Sequence, residues 1–339
     1  MNITIVTDAW LPQINGVVRT LQATREQLTR LGHRVSVISP DQYRSVPCPT
    51  YPEIRLSMTT ARRVGSDLAA TSPDAVHLST EGPLCIAARK HCLANGIPFT
   101  TAYHTHFPDY VAARTGVPTR WTWRYIRWFH APAQAVLVST PTLRRTLASH
   151  GLAYTRMWGR GVDLALFRPD HQPSAALAGL PRPIQLYVGR VAVEKNIEAF
   201  LETGQPGSKV IVGDGPALDA LRRKYPQAHF VGKLQSEALA QAYAQADVFV
   251  FPSRTDTFGL VMIEAMACGT PVAAYPVPGP VDVVAPGTGV LDPDLDTAIA
   301  GALACDRQKV AAYGAKFSWE ASARQFLKAL APIRRRAAA

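Results

Sequence analysis

Cysteine is scarce and scattered. The five residues Cys48, Cys85, Cys92, Cys268 and Cys305 are odd in number and share no regular spacing. That excludes a disulfide framework and a zinc-ligand pattern, and points to a reducing, cytoplasmic setting. Long apolar runs are missing as well: nothing approaches the roughly 20 residues of a membrane-spanning helix. The opening MNITIV already reads as a core strand, so no leader peptide is expected. No G-x-x-x-x-G-K-[ST] string occurs, which argues against a P-loop enzyme, and no repeat of solenoid period is evident. What is present is 339 residues of globular composition, 47% hydrophobic and 18% charged. That is enough for two domains with their own cores.

Acidic residues are in deficit, giving a formal net charge of +11. Residues 1–168 hold 19 Lys+Arg against 9 Asp+Glu, whereas residues 169–339 hold 17 against 16. Such asymmetry suggests that the first half meets something anionic: nucleic acid, a lipid surface or an acidic substrate. A nucleic-acid reader would want stacking aromatics on an exposed sheet. The strands here read as buried on both faces, so no nucleic-acid partner is expected.

Strands alternate with helical stretches throughout. NITIVT, HRVSVIS, DAVHLS, PFTTAYH and AQAVLVST read as strands in the first half, with helices from about Val17 to Leu31, over GPLCIAARKHCLANG and over TLRRTLASHG. A Pro- and Gly-rich stretch at 159–183 reads as a linker. The alternation restarts with IQLYVGR, SKVIVGDG, AHFVGK and DVFVFP, and a helix near 318–331 closes the chain before RRRAAA, a frayed tail. Repeated β-α-β means a parallel sheet covered on both faces. The expected fold class is therefore α/β: two Rossmann-like, doubly wound domains at 1–168 and 169–316 facing a cleft, with 317–339 packing back toward the first. Ligands should meet the carboxyl ends of the strands.

The loops after the strands carry the chemistry. In RTDTFGLVMIEA, Asp256 precedes a helix that starts near Phe258–Gly259 and stops at Gly269, and Glu264 lies inside it. A helix start after a parallel strand is an anion site. Carboxylates beside a bound phosphate would more reasonably hold hydroxyl groups of a ribose or hexose. The plain alternative makes Asp256 an N-cap and Glu264 a solvated helix residue. In YVGRVAVEKN, Arg190 and Lys195 could neutralise a diphosphate. Gly16 opens a helix after the first strand, and Gly213 and Gly215 flank Asp214 in VGDGPAL.

YVGRVAVEKN, VGDGPAL, the block from VGKLQSEAL to CGTPVAA, and FSWEASARQFL together resemble the retaining, nucleotide-sugar-dependent glycosyltransferases of family four, which have the GT-B fold. The opening VTDAWLPQINGVVRTL and TTAYHTHFPDY resemble the branch that glycosylates lipids, including phosphatidylinositol mannosyltransferases and sulfolipid synthases. The resemblance covers the whole chain. It implies a first domain for the acceptor, a second for the donor, and a hexose donor, GDP-mannose first and a UDP-hexose second. The acceptor would be a lipid such as diacylglycerol, or a glycan. An epimerase of similar shape is the alternative, set apart because it needs no acceptor.

By resemblance, Glu264 would hold the donor ribose and Asp256 the sugar's 3- and 4-hydroxyls. Amides near Phe258, Gly259 and Leu260 would meet the diphosphate or sugar. Arg190 and Lys195 would bind the diphosphate, with Gly16 approaching it and Gly213 alongside. Gly232, Lys233 and Leu234 would contact the base. His104 would lie beside the sugar as a positioner. The family usually has Glu where this chain has Asp256, one methylene shorter. Leaving-group charge would be met by cations and amides, so no metal is required. DPDLD at 292–296 reads as helix capping near Thr297, and His104, His106 and Asp109 are not read as a metal cluster.

One motif reaches past the donor. Read as a helix, residues 114–132 align Trp121, Tyr125 and Trp128 on one stripe and Arg120, Arg124 and Arg127 on the adjoining one. Tryptophan beside arginine suits an anionic membrane surface. The alternative is an aromatic stripe packed on the first sheet.

Overall fold

β-branched residues make the strands, and covered sheets are what such strands require. The computed structural model describes residues 1–13, 15–48, 51–104, 118–256 and 258–333, apart from the side chains of 51–54. Readings that involve His106, Asp109, residues 114–117 or the tail lie outside the described residues. The chain divides into one unit of Met1–Arg160 with Trp319–Ala339 and another of Gly161–Ser318.

The first unit runs β1 (Asn2–Val6), α1 (Gly16–Arg30), β2 (Arg34–Ile38), β3 (Ser45–Cys48), β4 (Tyr51–Ser57), α2 (Ala61–Thr71), β5 (Ala75–Leu78), α3 (Pro83–Ala94), β6 (Phe99–Tyr103), α4 (Thr119–His130), β7 (Val136–Val138), α5 (Pro141–Ser149) and β8 (Thr155–Met157). Its sheet has the order β2-β1-β5-β6-β7-β8, and each neighbouring pair is parallel. Asn15 caps α1, its carboxamide oxygen accepting from the Val17 and Val18 amides at 3.0 Å each. β3 and β4 form an antiparallel hairpin. Pro47, Pro49 and Pro52 hide it from a sequence reading, because proline demotes a strand.

The second unit runs β9 (Ile184–Val188), α6 (Ile197–Leu201), β10 (Ser208–Val212), α7 (Leu218–Lys224), β11 (His229–Gly232), α8 (Ser236–Gln245), β12 (Val248–Phe251), α9 (Leu260–Ala267), β13 (Val272–Ala274), α10 (Pro280–Val283), β14 (Gly289–Leu291), α11 (Leu295–Leu303) and α12 (Arg307–Gly314). The sheet order is β11-β10-β9-β12-β13-β14, again parallel. The closing helix α13 (Trp319–Ala329) belongs to the first unit and lies along α1. Its Phe326 is buried against Trp158.

The stretch at 159–183 looks like a linker by composition, yet its Val162, Phe167 and Leu177 are buried in the second unit's core. Proline and glycine report turns; they do not report what the apolar residues between them touch. With the units drawn this way, the first holds 23 Lys+Arg against 9 Asp+Glu and the second 13 against 16. The positive excess is confined to the first unit. Each sheet reverses its winding once, between β1 and β5 and between β9 and β12. Such reversals open a crevice at the strand ends where ligands bind.

Candidate functional site

At the β9/β12 reversal the loops are fastened to each other. After β9, residues 193–195 form a single tight turn, and Asn196 takes a left-handed conformation with φ +54°. Its carboxamide nitrogen donates to the Pro252 carbonyl at 3.2 Å. Beside it, Lys195 Nζ donates to Asp256 Oδ1 at 2.7 Å and Oδ2 at 2.9 Å. Two residues singled out separately are therefore brought into one ion pair, each side chain about a quarter exposed, at 24% and 25%. Asn196 was missed by sequence reasoning; an Asn closing a short turn was the available signal.

Arg190 is exposed just past the end of β9. Its carbonyl accepts the hydroxyl of buried Tyr187 at 2.9 Å. Burial, with the negative charges of Asp256 and Glu194, holds the Tyr187 phenol above its ordinary pKa. Gly213 has φ +145°, and a Cβ there would collide with the Gly189 carbonyl. The amide of Gly213 donates to Gly232 O at 2.8 Å and that of Gly189 to Val212 O at 3.0 Å. Close approach of backbone loops thus accounts for glycine at 213. Gly232 has φ +75°. Lys233 pairs with Asp214 at 3.2 Å on the surface, and Leu234 packs on the core.

α9 starts after Gly259, which has φ +78°. It ends in a Schellman turn: the Gly269 amide donates to Met266 O and the Thr270 amide to Ala265 O, each at 2.9 Å. Phe258 buries its ring against Phe317, and Leu260 packs on the core. Any ligand contact from Phe258 would have to come from its backbone. Glu264 is only 3% exposed, among Met262, Ile263, Ala265, Met266 and Ala267, all buried. The Tyr243 hydroxyl donates to its Oε2 at 3.2 Å. A carboxylate is costly to bury without partners. Neither plain alternative describes these acids: Glu264 is not solvated, and Asp256 holds Lys195 while Gly259 occupies the cap. The aspartates at 292–296 do cap a helix, Asp294 accepting from the Thr297 amide at 3.1 Å.

In the first unit, the β1/β5 reversal holds Asp8, which sequence reasoning passed over although it follows a core strand. Its buried carboxylate accepts from the Leu84 amide at 2.8 Å, the Cys85 amide at 3.3 Å and the Thr80 hydroxyl at 3.0 Å. The anion position at the start of α3 is thus filled by the chain itself. Burial still pushes Asp8 above its ordinary pKa. Gly16 is the exposed first residue of α1.

His104 directly follows β6 and is 8% exposed. Arg160 Nη2 lies 3.0 Å from its Nδ1. A guanidinium can only donate, so Nδ1 must accept and the proton sits on Nε2. Burial, then the Arg160 charge, holds His104 well below the usual histidine range. Arg160 is itself buried, which lowers it to about 9. One His104 nitrogen faces a cation and the other carries a proton, so the ring suits hydrogen-bond donation and not nucleophilic attack.

His77 is fully buried, contacts Thr100 Oγ1 through Nδ1 at 2.8 Å, and is pushed down to about 3 by burial. A base whose folded pKa lies below its unfolded value binds protons first in the unfolded chain. Stability from both histidines is therefore present above pH ~6.5 and lost as pH falls, at up to about 1.4 kcal/mol per pH unit for each. Denaturant melts at pH 7 and pH 5 should show this loss, and His77→Gln should remove about half of the slope assigned to the two. An unchanged slope in that variant would mean that His77 titrates normally.

On α4, the inward face is Thr122, Ile126, Phe129 and His130. His130 contacts Thr101 at 2.8 Å and Glu81 at 3.2 Å. Tyr125 is partly buried and donates to the Glu81 carbonyl. Trp121 and Trp128 are 52% and 43% exposed, and Arg120, Arg124 and Arg127 are exposed too. The tryptophans therefore do not supply the packing face. Buried Arg89 stacks under Trp128 at 4.2 Å and donates to its carbonyl at 2.6 Å, fixing that ring in place. Among the described residues no helix is long and apolar enough to cross a membrane.

Comparison with known proteins agrees with this architecture. Residues 14–166 match the family model described as Glycosyltransferase Family 4, and residues 182–305 the one described as Glycosyl transferases group 1. A GDP-mannose-dependent alpha-mannosyltransferase of Mycolicibacterium smegmatis is 34% identical over 316 residues, 86% of this chain and 84% of its own. A sulfoquinovosyl transferase of Arabidopsis thaliana is 31% identical over 298 residues, 80% of this chain and 58% of that protein. The solved sucrose-phosphate synthase of Thermosynechococcus elongatus superposes with a TM-score of 0.74 across 97% of this chain and 98% of that one, at 25% identity. With both sheets and both halves matched, the chain belongs to glycosyltransferase family four and is a nucleotide-sugar-dependent glycosyltransferase of GT-B fold.

Proposed function

We propose that this enzyme moves a hexose, mannose in first place, from GDP-mannose to a lipid or glycan acceptor, with retention of anomeric configuration and without a metal ion. The observation that carries the reading is the Lys195–Asp256 ion pair at the β9/β12 reversal, the crevice position where such sheets bind nucleotides, with Glu264 buried in the helix that follows β12. The mannosyltransferase relative favours mannose. A UDP-hexose donor is the second reading; Asp256, one methylene shorter than the family's usual Glu, bears on which sugar fits and not on the base. Work at the cytoplasmic face of a membrane fits the basic first unit.

In this mechanism Glu264 holds the ribose hydroxyls and Asp256 the sugar's. Breaking the bond from anomeric carbon to diphosphate builds negative charge on the leaving oxygens. Arg190, Lys195 and the amides at the start of α9 meet that charge, each well-placed donor contributing ~3 kcal/mol. The acceptor attacks from the face the diphosphate leaves, so no enzyme nucleophile is needed.

A thermal-shift screen with GDP, UDP, ADP and their sugars identifies the donor, since a ligand at 100 times its Kd adds ~2.7 kcal/mol of stability. Transfer from an α-linked donor should then give an α-linked product at a rate EDTA leaves unchanged. A β-linked product, or activity lost in EDTA and restored by manganese, would contradict the mechanism.

A further inference from the structure

The proposed roles put Lys195 on the diphosphate and Asp256 on the transferred sugar, yet in the structure the two side chains hold each other. The ammonium faces both carboxylate oxygens, at 2.7 and 2.9 Å. The pair is a quarter exposed, so a ligand can reach it. Asn196 ties the same loops together through the Pro252 carbonyl, so the ion pair can open while that tie stays closed.

Two ligands treat this pair differently. A nucleoside diphosphate offers anionic oxygens to Lys195 and only more negative charge to Asp256, whose counter-ion it has drawn away. An intact nucleotide sugar offers the diphosphate to the lysine and hydroxyl donors to the carboxylate, so both groups are partnered again. We propose that Asp256 sets the preference of this site for the nucleotide sugar over the free nucleoside diphosphate, and that its recapture of Lys195 after transfer favours departure of the spent diphosphate. This rests on the function proposed above, and it gives the carboxylate a task separate from gripping the sugar.

Calorimetric titration of the full chain with GDP, UDP, GDP-mannose and UDP-glucose tests it. Asp256→Asn is expected to bind the cognate nucleoside diphosphate about three- to fivefold tighter at low salt, the range of a partly exposed ion pair. The gain should shrink as salt rises. The same variant should not bind the nucleotide sugar tighter. In a Lys195→Met background, Asp256→Asn should bring a clearly smaller gain, because relief of repulsion remains while the competitor for Lys195 no longer matters. Asp256→Ser provides a second variant, and melting curves confirm that each protein is folded. If Lys195→Met weakens the diphosphate but Asp256→Asn does not tighten it, the preference proposed here is wrong and the donor site stands. If Lys195→Met binds the diphosphate as well as the wild type does, or neither diphosphate binds the wild type, the proposed donor role of Lys195 fails and this proposal fails with it.

Discussion

Replacing Glu264 by glutamine is expected to weaken nucleoside diphosphate binding about a hundredfold while leaving the protein folded. The proposed ribose contact needs an acceptor at both oxygens, facing hydroxyl donors. Glutamine puts an amide N–H2 where one acceptor stood and removes the charge from the other. A charge-assisted hydrogen bond contributes about 1.5–3 kcal/mol, and a donor left facing a donor adds to its loss. About 2.7 kcal/mol corresponds to that hundredfold. Stability should move the other way or not at all. A neutral amide is cheaper to bury than a carboxylate at 3% exposure, and its oxygen can still accept from the Tyr243 hydroxyl. Calorimetry and melting curves on the same variant separate the two effects. A fall in melting temperature with unchanged affinity for both GDP and UDP would make Glu264 a purely structural group.

The parts of this site that could be read in the sequence are those written in local chemistry. Alternation of β-branched runs with helix formers placed β12 and α9. Gly269 marked the end of α9 because that turn demands a left-handed residue, and its φ is +78°. Family resemblance picked out Lys195, Asp256 and Glu264 one by one. What stayed hidden depends on strand order and on side chains far apart in sequence. Lys195 and Asp256 meet because β9 and β12 are neighbours, and nothing local to either residue encodes that pairing. The burial of Glu264 depends on Tyr243 and on core residues from other elements. At Gly213 a structural requirement went unread: the Gly189 backbone already demands glycine there, whatever ligand approaches. The β3–β4 hairpin was lost to its prolines. His104 was legible as a histidine at a strand end, but its tautomer came only with Arg160, 56 positions away.

The second large effect concerns the acceptor side. Changing Arg120, Arg124 and Arg127 together to glutamate is expected to abolish sedimentation with vesicles of phosphatidylglycerol and phosphatidylcholine, with nucleotide binding untouched. All three arginines are exposed on α4, as are Trp121 and Trp128. The helix packs through Thr122, Ile126, Phe129 and His130 instead, so the outer face is available to a surface. Indole rings suit the headgroup region, and arginines suit lipid phosphates. Each basic residue near such a surface adds ~1 kcal/mol, so three give reversible attachment and their reversal turns attraction into repulsion. The loss should approach three orders of magnitude in partitioning, about 4 kcal/mol, before the indole contribution is touched. Trp121→Ala with Trp128→Ala should weaken binding in a way that salt does not restore, because burial of apolar area is unscreened. The first unit carries 23 Lys+Arg against 9 Asp+Glu, so a general attraction to anionic vesicles could persist without α4. The triple variant decides between the two: unchanged sedimentation would assign membrane attraction to diffuse charge. No sedimentation of the wild type at low salt would leave a soluble glycan as the better acceptor.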